Sequence, residues 1–234
     1  MGNGRGQVAV EAALALPVVA LLGLGVVQLG LVQQARLLEQ YAAFAAARTG
    51  VVRGASNARM HDAALLVLLP LLGRADSWEA VARSWPEARA RDLAMHGRLR
   101  DARPKGLPAL MEAGGLAGLV RVEVLSPVRS QVAGESLDFD LPDSSTEGDA
   151  PPEATRLTVR VRYLHELVVP LASWAIFTCW LASHPEGPED AAELEALERV
   201  AREERRYFLP LFATSTLRME SGVRREWLRE EGTP

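Results

Sequence analysis

The sequence predicts an α+β fold in which a long amino-terminal helix precedes a mixed domain, and three observations support this prediction. Residues 12–32 form an apolar run without a charge, which is typical of a helix that crosses a membrane. Residues 119–125 and 157–163 alternate apolar and charged side chains, the period of a half-buried strand. Residues 188–206 begin with a proline and acids and end with arginines, an order that the helix macrodipole favours.

The composition is that of an ordinary domain joined to one apolar segment. The 234 residues are 48% hydrophobic and 24% charged, with a mean hydropathy of +0.02. A net charge of −4 argues against a general nucleic-acid-binding protein. The single cysteine, Cys179, excludes an intrachain disulfide and a thiolate metal cluster, and we expect it to be buried as a small apolar side chain.

The apolar run has the length of a membrane span. Its residues, at about 1.5 Å each, extend over about 31 Å, the thickness of a bilayer's hydrocarbon core. The alternative is a cleaved secretory signal, but the apolar part of such a signal has only about 7–15 residues and ends near a small-residue cleavage site. We therefore expect a retained membrane helix. Helical spacing of apolar residues continues after it, which predicts a helix from Val8 to Thr49 with Gly50 as its carboxyl cap.

An acidic residue stands at the edge of the apolar run. Glu11 follows a short glycine-rich leader, residues 1–6. A carboxylate at this place is either a functional group with a partner charge or a helix-terminal glutamate that the macrodipole favours. The charge pattern alone leaves both interpretations open.

The first 50 residues resemble a known family. Gly6, then Glu11, then an apolar helix resembles the prepilin signature of type IV pilins. The segments 5–17 and 42–50 resemble TadE/TadG-like minor pilins of the tight-adherence pilus, in which a Leu-Pro step such as Leu16-Pro17 is typical.

The resemblance implies a processing event and an assembly contact. A prepilin peptidase would cut between Gly6 and Gln7, which leaves 234 − 6 = 228 residues. Glu11 would then pair with the new amino terminus of a neighbouring subunit, because two buried charges are tolerable only when they are paired.

Small residues on the helix are candidates for packing against another helix. Gly23 and Gly30 lie seven residues apart and therefore share a face, where they would let a second helix approach closely. We group Pro17 with them as a packing residue. The alternative is that glycine is simply tolerated in membrane helices.

The flanking charges and the resemblance disagree about orientation. Arg36, Arg48, Arg53 and Arg59 follow the span whereas Arg5 precedes it, so the positive-inside rule would place the domain in the cytoplasm. The resemblance implies the opposite: a single-pass inner-membrane protein with a cytoplasmic amino terminus and a periplasmic domain. We follow the resemblance, because three of these arginines lie 16 or more residues beyond the span. The implied partners are the prepilin peptidase, other pilin subunits, the inner-membrane assembly platform and membrane lipid, with no nucleic acid.

The predicted organisation is a leader at 1–6, a membrane and spine helix at 7–50 and an exported domain at 51–234. Within the domain we expect a buried helix over 56–72 and a helix that Asp76 or Ser77 caps. This second helix is interrupted near Pro86 and resumes to about residue 99. A last strand is expected at about 211–219. Resemblance to the second half of TadE/TadG-like proteins implies that these strands form a small antiparallel sheet packed on the spine helix.

Two further segments leave alternatives open. The stretch 134–155 is acidic and has no basic residue, which indicates a solvated hairpin loop. Its Asp138, Asp140 and Asp143 are the less favoured metal candidates, because the central glycine of a calcium-binding loop is absent. Residues 167–183 are apolar, and we favour a buried or membrane-lying segment over a second span, whose flanking charges would violate the positive-inside preference.

No motif predicts an enzyme or a cofactor. The pair His165-Glu166 lacks the second histidine of a zinc-protease helix, and no glycine-rich loop follows a strand. We expect a minor pilin or pseudopilin of the tight-adherence type. The alternative is a signal-anchored periplasmic binding or adhesion domain that never enters a filament.

Overall fold

A computed structural model of the chain describes residues 4–102, 118–131, 136–137, 156–183, 191–224 and 228. Five α-helices and five strands lie within these ranges. The helices are α1 (Gly4–Val52), α2 (Asn57–Leu72), α3 (Trp78–Ala102), α4 (Ala172–Ser183) and α5 (Ala191–Glu204). The strands are β1 (Val120–Ser126), β2 (Ser136–Leu137), β3 (Arg156–Leu167), β4 (Tyr207–Arg218) and β5 (Val223–Arg224). The predicted α+β class is confirmed.

Helix α1 is the long element that the apolar run predicts, and it has two different halves. Its 49 residues extend over about 73 Å, with Pro17 inside the helix. Side chains from residue 8 to residue 24 are exposed. From residue 28 onward, buried residues recur every three or four positions, as on one face of a helix that packs against a core: Gln28, Val32, Ala35, Glu39, Ala42, Ala43, Ala46, Ala47 and Gly50.

The end of α1 differs from the prediction. Gly50 was expected to be its carboxyl cap, but it lies inside the helix and touches the core. A Cβ on Gly50 would lie 2.5 Å from Leu157 Cδ2 and 2.5 Å from Met60 Sδ. The left-handed position that favours glycine is instead Gly54, with a φ of 65°. The spacing predicted that a glycine ends the helix. Gly50 is needed instead for the close contact with the core, and Gly54 takes the left-handed conformation after the helix.

Helices α2 and α3 follow the predicted ranges, with one correction. Helix α2 buries the face that includes Met60, Leu65 and Leu68, as expected for its apolar sequence. Helix α3 is not interrupted near Pro86, which lies within the continuous helix. Pro86 is exposed, so water can solvate the backbone carbonyl that the proline leaves without a donor. The Ser77 side chain accepts a hydrogen bond from the Ala80 N–H (3.2 Å), which confirms Ser77 as the cap.

The main sheet is antiparallel, with the strand order β1-β3-β4. Strand β3 is central: Val122 is paired with Val161, and Val161 is paired with Ala213 on the other side. Strand β4 begins at Tyr207, four residues before the predicted start, because its pairing with β3 continues to Leu167. A separate two-stranded ladder joins β2 to β5.

The two faces of the sheet have different neighbours. Odd-numbered residues of β3, including Leu157, Val159 and Val161, are buried on the face that contacts α1 and α2. Helix α5 packs against α3 and β4. The core therefore lies between the sheet and the second half of α1, the arrangement that the resemblance implied.

The two carboxyl-terminal helices correct some details. Helix α5 is described from Ala191, so the predicted start at Pro188 lies outside the described residues. Arg205 and Arg206 were expected in its last turn but follow its end, and Arg206 binds Glu166 instead. Helix α4 occupies part of 167–183, and its Cys179 is exposed, so the prediction of a buried cysteine was wrong.

Candidate assembly site on the amino-terminal helix

The first half of α1 presents an apolar surface on all sides. The helix is long and apolar enough to cross a membrane, and in its most apolar 18-residue window no residue is buried in the protein. Water would not stabilise such a surface, since each exposed leucine or valine costs about 1.5–3 kcal/mol relative to burial. The exposed apolar half of α1 is therefore consistent with a membrane anchor.

Glu11 lies within this exposed surface. Its side chain is exposed and belongs to a helix that begins at Gly4. Gly6 and Gln7 belong to the same helix. Because residues four apart share a helix face, Glu11 lies one turn above Gln7, about 6 Å along the axis. A chain that begins at Gln7 would place an ammonium group and a carboxylate on one apolar surface.

The glycines of the span have open space around them. No heavy atom lies within 4 Å of a Cβ built on Gly23, Gly25 or Gly30. Gly23 and Gly30 share a face, whereas Gly25 points about 200° away from Gly23. The pair leaves a shallow strip on the helix, and the domain of this chain does not fill it.

Gln28 marks the place where the domain meets the span. This side chain is fully buried, and its Oε1 accepts hydrogen bonds from the backbone N–H groups of Val168 (3.1 Å) and Val169 (2.9 Å). These residues connect β3 to α4. The polar residue of the apolar run therefore fixes the β3–α4 connection to α1.

A second buried polar residue of α1 is Glu39. It lies seven residues beyond the apolar run. Burial raises the pKa of its carboxyl to about 8, although a hydrogen bond with the Tyr163 backbone and the positive charges of Arg36 and Arg162 act to lower that pKa. Among the described residues, none gives the Oε1 atom of Glu39 a hydrogen bond. Glu39 was not predicted as a functional residue. Its spacing from Val32, Ala35 and Ala42 is the signal that places it on the buried face of α1.

The far end of α1 is tied to the sheet by Ser221. Its hydroxyl donates to the Val51 carbonyl (2.6 Å) and accepts from the Gly54 N–H (2.9 Å). Gln28 and Glu39 on α1, together with Ser221 from the segment between β4 and β5, thus join the second half of α1 to the rest of the domain. These contacts make α1 and the domain one packed unit from residue 28 onward.

The domain also contains an open cavity of about 670 Å³, which lies beside Leu31 and Gln34 of α1. His165 lines it and is 8% exposed. Within the described residues, neither ring nitrogen of His165 has a hydrogen-bond partner. Burial lowers the pKa of His165, and the neighbouring Glu166 opposes this shift. Glu166 in turn accepts two hydrogen bonds from Arg206, at 2.8 and 2.6 Å.

Other buried polar side chains connect the elements of the domain. His61 Nε2 lies 3.2 Å from Asp92 Oδ2, and Asp92 Oδ1 accepts a hydrogen bond from the Val120 N–H (3.0 Å). Arg162 pairs with Glu193 and donates to the Gly118 carbonyl (2.9 Å). These contacts connect α2, α3, α5 and the sheet, and they give the buried Arg162 an internal partner of opposite charge.

The candidate metal ligands Asp138, Asp140 and Asp143 lie outside the described residues, as does most of the acidic stretch 134–155. The favoured interpretation as a solvated loop and the less favoured interpretation as a metal site are therefore both untested.

The comparison with protein families concerns α1 directly. Residues 6–48 match the family of TadE-like proteins. The match begins at Gly6, includes Glu11 and ends four residues before the end of α1. The TadE-like segment thus covers both the exposed half of the helix and most of the half that packs on the domain.

This match confirms the resemblance over the amino-terminal segment and supports a relation to the tight-adherence pilus. A comparison with curated proteins gives no match, and a comparison with solved structures gives none. The domain that follows residue 48 is therefore described from its own geometry alone.

Proposed function

We propose that the protein is a membrane-anchored minor pilin or pseudopilin that takes part in the assembly of a tight-adherence pilus or a related secretion apparatus. The observation that carries the proposal is the TadE-like segment at residues 6–48. It coincides with a helix whose first half is apolar on all sides and whose second half is packed into a folded domain.

In this proposal a prepilin peptidase cuts between Gly6 and Gln7, and α1 remains in the inner membrane with the domain in the periplasm. The protein acts by assembly and not by catalysis. Its exposed half packs beside the helices of other pilin subunits and the assembly platform, with Gly23, Gly30 and Pro17 at the contact. The same surface lies in lipid before assembly.

Glu11 supplies the charge that selects the assembled state. A carboxylate in lipid is costly unless it is paired, and the ammonium group of a neighbouring mature subunit is the partner. An anchor that only holds a domain at the membrane gains nothing from an acid at this position. The Glu11 side chain is exposed and lies 17 residues before Gln28, where the packing of α1 on the domain begins, which supports an intermolecular partner.

We predict that Glu11→Ala leaves membrane insertion unchanged and reduces incorporation into filaments at least tenfold. The change removes the paired charge while the apolar span stays intact. Quantitative mass spectrometry of membranes and of sheared filaments measures both quantities. Gln33→Ala is the matched control, because Gln33 is an exposed polar residue of the same helix outside the span. Incorporation of Glu11→Ala at the wild-type level would contradict the pairing.

One observation favours the alternative, an anchored binding or adhesion domain that stays outside the filament. The cavity beside Leu31, with the unbonded ring of His165 in its wall, has the size of a small-molecule pocket. The filament measurement separates the two functions: a wild-type protein that is abundant in membranes and absent from filaments would support the alternative.

A further inference from the structure

We propose that the β3–α4 corner is a second membrane contact, seated in the outer part of the lipid layer beside the span. We define this corner as the connection 168–171 and the first turn of α4. The inference rests on membrane anchoring by α1, and it does not depend on leader cleavage or on entry into a filament.

The depth of the corner follows from its attachment to α1. A hydrocarbon core of about 30 Å needs about 20 helical residues, so a span that begins at Ala12 ends near Leu31. Gln28 then lies about 4–5 Å inside the hydrocarbon boundary. Since the N–H groups of Val168 and Val169 are bonded to Gln28, the corner lies at the same depth.

The side chains of the corner suit this position. Val168, Leu171 and Trp174 are 65%, 68% and 57% exposed, and they form an apolar lip next to the apolar surface of α1. Residues 167–183 contain no charged residue. A tryptophan near the level of the headgroups is typical of membrane-interface residues.

Several polar groups of the corner are bonded within the protein, as lipid favours, whereas the buried Nε2 of Gln28 has no hydrogen-bond partner among the described residues. Gln28 accepts the two N–H groups at 168 and 169, and Pro170 has no N–H to satisfy. The Ser173 hydroxyl donates to the Val169 carbonyl (2.6 Å). This hydroxyl is therefore satisfied within the protein.

The opposite side of α4 explains why the corner is held rigidly. Phe177 is buried and its ring contacts that of Tyr207 of β4 in a tilted arrangement, with ring centroids 5.5 Å apart. The next charged residue back along β3, Glu166, is paired with Arg206. The domain thus presents an uncharged, preformed apolar lip on the side where α1 enters the membrane, which would restrict the tilt of the domain on its anchor.

The test uses the full chain in phosphatidylcholine–phosphatidylglycerol vesicles. In a Cys179→Ser background, single cysteines at Val168 or Trp174 carry an environment-sensitive fluorophore. Leu93→Cys is the matched control, since Leu93 is an apolar residue of α3 with a similar exposure of 62%. Ala20→Cys reports on insertion of the anchor itself.

We expect spin-labelled lipids to quench the probes at 168 and 174 at least threefold more than the probe at 93, and aqueous iodide to show the reverse order. Probes at 168 and 174 that behave like the probe at 93, while position 20 is quenched by lipid, would overturn the proposal and leave the anchor intact. Protection of 168 and 174 from both quenchers would overturn it in favour of a protein contact. If spin-labelled lipid does not quench the probe at position 20, both the proposed membrane contact of the corner and membrane anchoring by α1 would be overturned.

Discussion

At the scale of single residues, the buried polar groups of α1 determine how this helix packs on the domain. Gln28 and Glu39 are fully or almost fully buried, and each contacts the backbone of the β3 strand or the residues that follow it. Burying a polar group is costly unless it is bonded, and rotation of α1 would break the bonds that these side chains do make, although Gln28 Nε2 and Glu39 Oε1 have no partner among the described residues. The two residues therefore fix the rotation of α1 relative to the sheet, which decides the direction in which Glu11 and the span glycines point.

The raised pKa of Glu39 makes the stability of the domain depend on pH. A carboxyl with a pKa of about 8 in the folded state and 4.5 when unfolded binds its proton more tightly when folded. Stability is then fully present below pH 4.5 and falls as the pH rises towards 8, by up to a few kcal/mol. We predict that Glu39→Gln flattens this decline and stabilises the protein at pH 8.

Urea unfolding in detergent micelles between pH 4.5 and pH 8.5 measures the effect. Glu195→Gln is the control, because the side chain of Glu195 is half exposed in α5 and its charge is solvated. A Glu39→Gln variant with the same pH slope as the wild type would show that the carboxyl is already ionised in the folded protein.

At the scale of elements, the contact of α1 with the sheet depends on Gly50. The close distances to Leu157 and Met60 leave no room for a methyl group, since both neighbours are fully buried. We predict that Gly50→Ala destabilises the domain by about 1–3 kcal/mol, measured by the same unfolding experiment.

Gly97 provides the opposite case on another helix. It lies within α3, and nothing stands within 4 Å of its Cβ position, so Gly97→Ala should stabilise by about 0.5–1 kcal/mol through helix propensity. Equal effects of the two substitutions would show that the backbone, and not the close contact, controls the result at Gly50.

Periodicity predicted the elements better than their ends. The apolar run, the two alternating strands and the buried helix over 56–72 are visible in the sequence because local patterning determines them. The continuous helix at Pro86 and the position of Arg206 are not visible, since solvent exposure permits the first and an ion pair with Glu166 determines the second. The tie between Gln28 and residues 168–169 joins positions 140 or more apart, and no local pattern predicts it.

The residues of the candidate site also fall into those that local patterning predicts and those that distant contacts determine. Gly6, Glu11 and the span glycines are identified by spacing along one helix, which a sequence displays directly. Glu39 and His165 acquire their character only when distant strands bury them. Local spacing therefore predicts the proposed assembly residues but not the buried groups of the domain.

At the scale of the whole molecule, one helix serves two environments. Its first half is exposed and apolar, and its second half is the central element of an α+β domain. The domain begins at Gln28, inside the apolar run, and α1 continues from the run into the fold without a break. In the proposed membrane or filament setting, motion of α1 would be transmitted directly to the sheet.

The central claim is that this helix is a processed pilin-type segment and not a plain anchor. Intact-mass measurement of the full chain, expressed with and without a prepilin peptidase, tests it most directly. We predict that the peptidase removes six residues from the wild type and from Gly4→Ala, and none from Gly6→Leu. A wild-type chain that keeps its mass in the presence of an active peptidase would contradict the claim.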